Sequence, residues 1–337
     1  MKHLSTVFLM TARNIALIAC LPIVALHIPV LAQPPSSQAA PDGRGFVPPP
    51  VDPRVQIRTY RFEEANEEIP YAVYVSSKVQ PDRQNPLVVA LHGLCGSHTS
   101  LLRGNALDLA EEGGYILVGP MGYNPRGWYG VPAGTGPGAR GRGPVPQNPA
   151  AQPGQTSAAP PSAQAAPAAA PRPRPAPCGQ AEDPPNLREL SEKDILNVLD
   201  LMRKEFNVDE RRTYLMGHSM GGAGTFHLAV KYPANWAAIA AIAPAAFSLE
   251  AASIATIPDM PVIVVHGDMD TAVPVSVSRA WVDVMKEHEM THEYLEIAGG
   301  DHGNVIATGM PDIIAFFDAH SKPTPRGDAE RGRRNDN

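Results

Sequence analysis

The segment Gly217-His218-Ser219-Met220-Gly221 has the spacing of a nucleophilic serine held in a sharp turn. Glycines on both sides of the serine permit a tight strand-to-helix turn, because larger side chains there would collide with neighbouring backbone. The turn lifts the hydroxyl out of the strand and places it at a helix N-terminus, whose dipole favours developing negative charge. An apolar run precedes this segment and a helical pattern follows it directly. Ser219 is therefore predicted to be a nucleophile.

A serine hydroxyl is a weak nucleophile at neutral pH and needs a histidine base that is oriented by a carboxylate. The apolar run 262–265 is followed by Asp270, and the run 293–297 is followed by His302. Serine, acid and histidine in this chain order match one of the recurring triad arrangements. We predict that Ser219, Asp270 and His302 act together.

Neighbouring residues leave alternatives for two of these roles. Asp268 and Asp301 are further carboxylates beside the predicted base and acid, and His218 and His266 are further imidazoles. We expect Asp268 to stabilise its loop and the two histidines to shape theirs.

Acyl transfer also needs backbone N–H groups that bind the oxyanion of the tetrahedral intermediate. The buried-type run 87–91 is followed by His92-Gly93-Leu94. We predict that the amides of Leu94 and of Met220, the residue after the nucleophile, form this oxyanion hole. The aromatic residues Tyr123, Trp128 and Tyr129 follow another apolar run and could line a substrate pocket.

The segment His288-Glu289-Met290-Thr291-His292 matches H-E-x-x-H, the zinc-peptidase pattern, which requires both histidines on one helix face. The helical pattern ends near Glu289, so the two rings should diverge. The sequence also lacks C-x-x-C, Walker and dinucleotide-binding motifs. No metal and no cofactor are expected.

The elements that must position these residues alternate between two kinds of pattern. Short apolar runs typical of strands occupy 55–62, 71–76, 87–91, 116–119, 213–216, 237–242, 262–265 and 293–297. Helical patterns occupy 100–112, 190–206, 220–232, 275–289 and 304–320. This alternation predicts an α/β fold with a mostly parallel, doubly wound sheet and helices on both faces. Ligands bind at the carboxyl ends of such strands, which is where the predicted site residues lie.

Composition divides the chain into folded and unfolded parts. Residues 1–32 have the pattern of a signal peptide that is cleaved after Ala32. We therefore expect an exported protein, either periplasmic or secreted. The alternatives are a lipoprotein modified at Cys20 and a retained membrane anchor. We expect the proline-rich leader at 33–53 and the polar tail at 321–337 to be disordered. The domain at 54–320 is interrupted by a Pro/Ala/Gly-rich insertion at 131–186, which cannot bury enough apolar surface to fold.

Charge and cysteine content restrict the partners. The net formal charge is −6, and removal of 1–32 would make it more negative, so no nucleic-acid partner is expected. No stable membrane span is expected after signal cleavage. Cys95 and Cys178 would remain, and in an oxidising compartment they could form a disulfide.

Taken together, several motifs resemble compact bacterial α/β-hydrolases. They are Leu91-His92-Gly93-Leu94, Gly119-Pro120-x-Gly122-Tyr123, Gly127-Trp128-Tyr129-Gly130, the Ser219 segment with Gly222, His266-Gly267-x-x-Asp270-x-x-Val273-Pro274 and Gly300-Asp301-His302-Gly303. The nearest groups are the phospholipase/carboxylesterase type, the feruloyl-esterase and polyhydroxybutyrate-depolymerase-like esterases, and the catalytic domain of prolyl-oligopeptidase-type peptidases. The resemblance implies the α/β-hydrolase fold and a serine hydrolase.

The resemblance leaves the substrate open between three classes. A carboxylic ester, small or polymeric, is favoured because the leader at 33–53 is too short to form the propeller that peptidases of this type usually carry. A peptide substrate and a non-catalytic binding protein on a hydrolase fold are the alternatives. Cys95 stands where such proteins often carry glycine; if it bonds Cys178, the insertion would be tethered beside the predicted oxyanion loop.

Overall fold

The computed structural model describes residues 50–133, 178 and 183–323. The chain divides into two units, residues 1–47 and 48–337, of which the first lies outside the described residues. The predicted signal peptide and most of the leader and of the insertion also lie outside them. Among the described residues, no helix combines the length and apolar character that a membrane crossing requires.

Eight strands and five α-helices form where the two sequence patterns predict them. The strands are β1 Gln56–Phe62, β2 Glu67–Val75, β3 Asn85–Leu91, β4 Ile116–Pro120, β5 Val208–His218, β6 Ile239–Ile242, β7 Val262–Gly267 and β8 His292–Ile297. The helices are α1 Asn105–Gly113, α2 Leu187–Glu205, α3 Met220–Lys231, α4 Ser276–Glu287 and α5 Val305–Ala319. The alternating pattern thus identified every strand and α-helix of the described region, with shifts at the ends.

The strands form one sheet in the order β1-β2-β4-β3-β5-β6-β7-β8. β1 pairs antiparallel with β2, and β2 with β4, whereas all pairs from β4 to β8 are parallel. The predicted mostly parallel sheet is therefore confirmed. The parallel strands all end at one edge of the sheet, so the segments that follow β3, β5, β7 and β8 meet there.

The sheet is covered on both faces because its central strands are apolar on both sides. In β3, Leu87, Val89 and Leu91 pack on one face and Val88 and Ala90 on the other. The first face is covered by α2, α3 and α4, and the second by α1 and α5. Each layer contains a stacked aromatic pair: Phe226 with Trp281, with ring centroids 3.8 Å apart, and Tyr214 with Phe317, at 4.5 Å. The helices on both faces are as predicted.

The two ends of the predicted insertion are fastened to this domain. Val131 is fully buried, and its amide donates to the Trp128 carbonyl. At the other end, Asp183 accepts hydrogen bonds from Arg126 and Asn124. The described residues therefore include both ends of the segment that composition alone assigned to the insertion.

Candidate active site

Ser219 occupies a strained turn between β5 and α3. Its φ and ψ angles are 57° and −114°, a left-handed conformation that non-glycine residues rarely adopt. β6 and the loop after it hold Ser219 there: the Ser219 amide donates to the Ile242 carbonyl and its carbonyl accepts from the Ala245 amide, both at 2.9 Å. A Cβ atom at Gly217 would lie 2.2 Å from the Gly221 carbonyl oxygen, so this turn requires glycine. The local geometry is that of a nucleophile elbow.

His302 and Asp270 are in direct contact at the same edge of the sheet. His302 Nδ1 lies 2.6 Å from Asp270 Oδ2. Because a carboxylate only accepts hydrogen bonds, His302 Nδ1 carries the proton and Nε2 is left as the basic nitrogen. Among the described residues, the Ser219 hydroxyl has no hydrogen-bond partner. In free enzymes the bond between nucleophile and base often forms only with substrate in place.

The Asp270 carboxylate is fully buried yet held in its ionised form. Its Oδ1 accepts the backbone amides of Ala272 and Val273, each at 2.8 Å, and Oδ2 accepts from His302. Burial by itself would raise the pKa of Asp270, but the hydrogen bonds from Val273, His302 and Ala272 outweigh it, and the pKa is lowered. Asp270 can therefore remain anionic beside His302.

The other two carboxylates in these loops have structural partners. Asp268 Oδ1 accepts the Gly299 amide at 2.7 Å, which joins the loop after β7 to the loop after β8. Asp301 Oδ1 accepts the amides of Gly303 and Asn304 at the start of α5, each at 2.8 Å. Of the three carboxylates, Asp270 is the one that contacts His302.

His266 contacts Asp270, and His218 contacts His302. His266 Nε2 lies 3.0 Å from the Val273 carbonyl and 3.2 Å from Asp270 Oδ2, both acceptors, so Nε2 carries the proton. Its Nδ1 then accepts from the Ser278 hydroxyl at 2.6 Å. Burial lowers the pKa of His266, which keeps the ring neutral. His218 contacts the backbone of His302 instead, with its Nε2 2.7 Å from the carbonyl oxygen.

The loop after β3 lies against Ser219. A Cβ atom at Gly93 would lie 3.3 Å from Ser219 Cβ, which shows how closely this loop approaches. Leu94 follows directly, and Met220 is the first residue of α3, where backbone amides lack partners within the helix. In the described part of the chain, neither the Leu94 amide nor the Met220 amide is engaged by another backbone group. Both amides thus meet this requirement of the predicted oxyanion hole.

The three predicted pocket aromatics occupy different environments. Tyr129 is fully buried; its hydroxyl donates to the His92 carbonyl at 3.0 Å, so it supports the loop after β3 from behind. The Tyr123 ring packs against Phe62, and its hydroxyl donates to Glu67 in β2. Trp128 is half-buried under the Arg188 guanidinium. Of the three, Trp128 and Tyr123 retain exposed surface, whereas Tyr129 belongs to the core.

Buried polar residues of α2 bind the backbone of the segment that carries Tyr123 and Tyr129, and the sequence analysis did not predict them. Ser191 Oγ accepts the Tyr129 amide at 3.0 Å. Asp194 accepts the amides of Gly122 and Tyr123 and the hydroxyl of Tyr60. Burial raises the pKa of Asp194 to about 6 despite these hydrogen bonds. In the sequence they can be recognised as polar residues on the otherwise apolar face of an amphipathic helix.

Cys95 and Cys178 form a disulfide with their Cα atoms 5.3 Å apart. Cys95 directly follows Leu94 and has a φ angle of 63°, and its amide donates to the Pro125 carbonyl at 3.0 Å. The disulfide thus attaches a distant point of the chain to the loop that carries the Leu94 amide.

The H-E-x-x-H segment is divided between two elements. α4 ends at Glu287, Glu289 has a φ angle of 51°, and His292 begins β8. The two histidines therefore do not share a helix face, as zinc ligation by this motif requires. Within residues 50–133 and 183–323, no cluster of three or more histidine, cysteine or acidic side chains could hold a metal ion.

The order of strands, the elbow and the triad-like contacts together define the α/β-hydrolase fold. Comparison with known proteins agrees: residues 192–319 match the family model described as PETase, PET hydrolase-like. The matched residues run from α2 to α5 and contain Ser219, Asp270 and His302. The resemblance to α/β-hydrolases that the motifs predicted is confirmed.

Relatives of known structure or function include several esterases. A 77-residue stretch is 43% identical to the bifunctional acetylxylan esterase/xylanase XynS20E of Neocallimastix patriciarum and spans 23% of this chain and 11% of that protein. The crystal structure of a thermostable esterase has a TM-score of 0.53 at 24% identity, covering 80% of this chain and 64% of the other. A ferulic acid esterase from Anaeromyces mucronatus, solved with ferulic acid, has a TM-score of 0.51 at 16% identity, covering 79% and 90%. At these identities the two structures establish the fold.

Proposed function

We propose that this protein is an exported serine hydrolase that cleaves carboxylic esters through an acyl-enzyme on Ser219. The observation that carries the proposal is the 2.6 Å contact between His302 Nδ1 and the buried Asp270 carboxylate, beside a serine in a strained elbow. The esterases among the similar proteins support an ester substrate. Export rests on the signal-like sequence of residues 1–32.

In the first half of the reaction, His302 Nε2 takes the proton of Ser219 as the hydroxyl attacks the ester carbonyl. The tetrahedral oxyanion is bound by the Leu94 and Met220 amides, and the positive dipole end of α3 adds to this stabilisation. Asp270 keeps His302 in the correct tautomer and stabilises its positive charge. The intermediate collapses when the alcohol leaves with the proton from His302.

In the second half, water replaces the alcohol. His302 takes a proton from the water as it attacks the acyl carbonyl, and the resulting intermediate passes through the same oxyanion site. Collapse releases the carboxylic acid and returns the proton to Ser219. The alcohol and the carboxylic acid are thus released and the enzyme is regenerated, and neither step uses a cofactor.

The side chains around the site favour esters with apolar groups. Leu94, Phe247 and Met269 are 42%, 62% and 64% exposed, although large apolar side chains are usually buried. They follow β3, β6 and β7, strands that lie on both sides of β5 and its Ser219. Exposed apolar surface beside a nucleophile is typical of a substrate-binding rim. An ester with an apolar acyl or alcohol group would cover it.

Fluorophosphonate labelling tests the proposal. We expect the wild-type protein to gain one covalent adduct, located on the peptide that contains Ser219, and Ser219→Ala to gain none. Turnover is then measured with nitrophenyl esters of increasing acyl length, a feruloyl ester, a polyester film and aminoacyl amides. Absence of labelling would remove the serine-hydrolase proposal and favour a binding protein. Turnover of amides without esters would favour a peptidase.

Export is tested separately by N-terminal sequencing of protein recovered from the periplasm or medium of an expressing bacterium. We expect the mature chain to begin at Gln33. A lipid-modified N-terminus at Cys20, or an intact residue 1–32 segment in the membrane fraction, would contradict this.

A further inference from the structure

His218 contacts the predicted base and lies close to the predicted oxyanion loop. It is the last residue of β5 and directly precedes Ser219. Its Nε2 lies 2.7 Å from the His302 carbonyl oxygen, and the two rings are 4.6 Å apart between centroids. Its other nitrogen faces the oxyanion loop, since a Cβ atom at Gly93 would lie 3.1 Å from His218 Nδ1.

The partner of Nε2 determines the tautomer of His218. A carbonyl oxygen only accepts hydrogen bonds, so Nε2 carries the ring proton and donates a hydrogen bond to the His302 carbonyl. The bond fixes the main chain of His302, whereas the contact with Asp270 fixes its side chain. The loop after β8 is therefore tied to the strand that carries the nucleophile by a bond separate from the triad contacts.

His218 stays neutral near pH 7. Burial, together with the nearby His302 and Arg103, lowers the pKa of His218 to about 4, although the hydrogen bond to the His302 carbonyl and the charge of Asp270 act in the opposite direction. A neutral ring matters because His302 gains a positive charge when it takes the serine proton, and a second cation at this distance would oppose that step.

We propose that His218 is a positioning residue, which holds the His302 loop and the oxyanion loop in register with Ser219. The proposal rests on the proposed function, because it assigns His302 as the base. His218 touches neither substrate nor the reacting atoms in this role; it acts by keeping the acceptor nitrogen of His302 within reach of the Ser219 hydroxyl. Misplacement of a catalytic group by about 1 Å can cost on the order of a hundredfold in rate.

The test separates the hydrogen bond from the packing of the ring. His218→Phe keeps a planar ring and loses the donor, whereas His218→Gln keeps an N–H donor on a smaller side chain. We expect kcat to fall about tenfold or more in His218→Phe with little change in KM, and His218→Gln to recover most of the loss. His288→Phe is the matched control, because His288 is exposed at the end of α4.

Proton NMR provides a second readout, which reports directly on how firmly the His302 ring is held. The His302 Nδ1 proton, shared with Asp270, should give a downfield resonance in the wild type and in His218→Gln. In His218→Phe it should broaden or exchange faster because His302 is less firmly held. If His218→Phe does not fold, as judged by circular dichroism, His218→Leu replaces it in the same comparison.

The outcomes distinguish failure of this proposal from failure of the proposed function. Wild-type protein that resists fluorophosphonate at Ser219 would overturn both. Labelled wild type, together with unchanged kcat and an unchanged His302 resonance in the folded His218→Phe or His218→Leu variant, would overturn the positioning role alone. Equal losses of kcat in His218→Phe and His218→Gln would also overturn it, because the donor would then be irrelevant.

Discussion

Asp270→Asn should disable the enzyme by reversing the tautomer of His302. Oδ1 of Asp270 accepts two backbone amides at 2.8 Å, whereas Oδ2 accepts only from side chains. An asparagine has a single carbonyl oxygen, and the two amides will hold it at the Oδ1 position. The NH2 group then faces His302 Nδ1 and donates to it, so the ring proton must move to Nε2. A protonated Nε2 cannot accept the serine proton.

The size of this effect follows from the loss of the base. In Ser-His-Asp triads the wrong histidine tautomer costs about 10⁴-fold in kcat, or about 5 kcal/mol of transition-state stabilisation. We expect a loss of about 10³- to 10⁴-fold in Asp270→Asn, because the Asp270 carboxylate is the group that accepts the hydrogen bond from His302 Nδ1. The assay is hydrolysis of a short nitrophenyl ester at pH 7 to 8, with burst kinetics to separate acylation from deacylation.

Asp268→Asn is the matched control, since Asp268 lies two residues away in the same loop and bonds the Gly299 amide instead of a histidine. We expect it to change kcat by less than about threefold. Circular dichroism and thermal unfolding establish that both variants fold. An Asp270→Asn rate within tenfold of wild type, or a larger loss in Asp268→Asn, would refute the assignment of Asp270 as the acid.

Three further predictions concern stability. Replacing Cys95 and Cys178 by serine should lower the free energy of unfolding by about 2–4 kcal/mol in urea titrations, because the disulfide closes a long loop; reduced wild type should behave alike. Glu192→Gln should lower the free energy of unfolding by about 1–3 kcal/mol at pH 7. Burial by itself would raise the pKa of Glu192, but hydrogen bonds outweigh burial and lower this pKa from 4.5 to about 2. The stabilisation by the ionised carboxylate is therefore fully present above pH 4.5 and is lost as the pH falls through 2. Denaturation at pH 7 and 2.5 should show the difference shrink. Gly217→Ala should be unstable or insoluble, because its Cβ would lie 2.2 Å from a backbone oxygen, whereas Gly303→Ala, with 3.6 Å to its nearest neighbour, should unfold like wild type.

The sequence by itself determined the elements and the residues at their ends. Period-2 and period-3.6 patterns depend on residues close in the chain, so β3 and α3 could be recognised without knowing which elements they pack against. The elbow around Ser219 could be recognised for the same reason, because its glycines relieve clashes within a few residues. Chain order then favoured Asp270 and His302 as partners.

Only the tertiary structure decided how these elements are combined. The sheet order, the antiparallel pairing of β1 and β2, and the Cys95–Cys178 bond depend on contacts between distant segments. Likewise, side-chain direction decided that Tyr129 supports the core and that His218 reaches the His302 carbonyl. A linear pattern encodes which residues share a face of one element, whereas the distance between two faces depends on packing across the whole sheet.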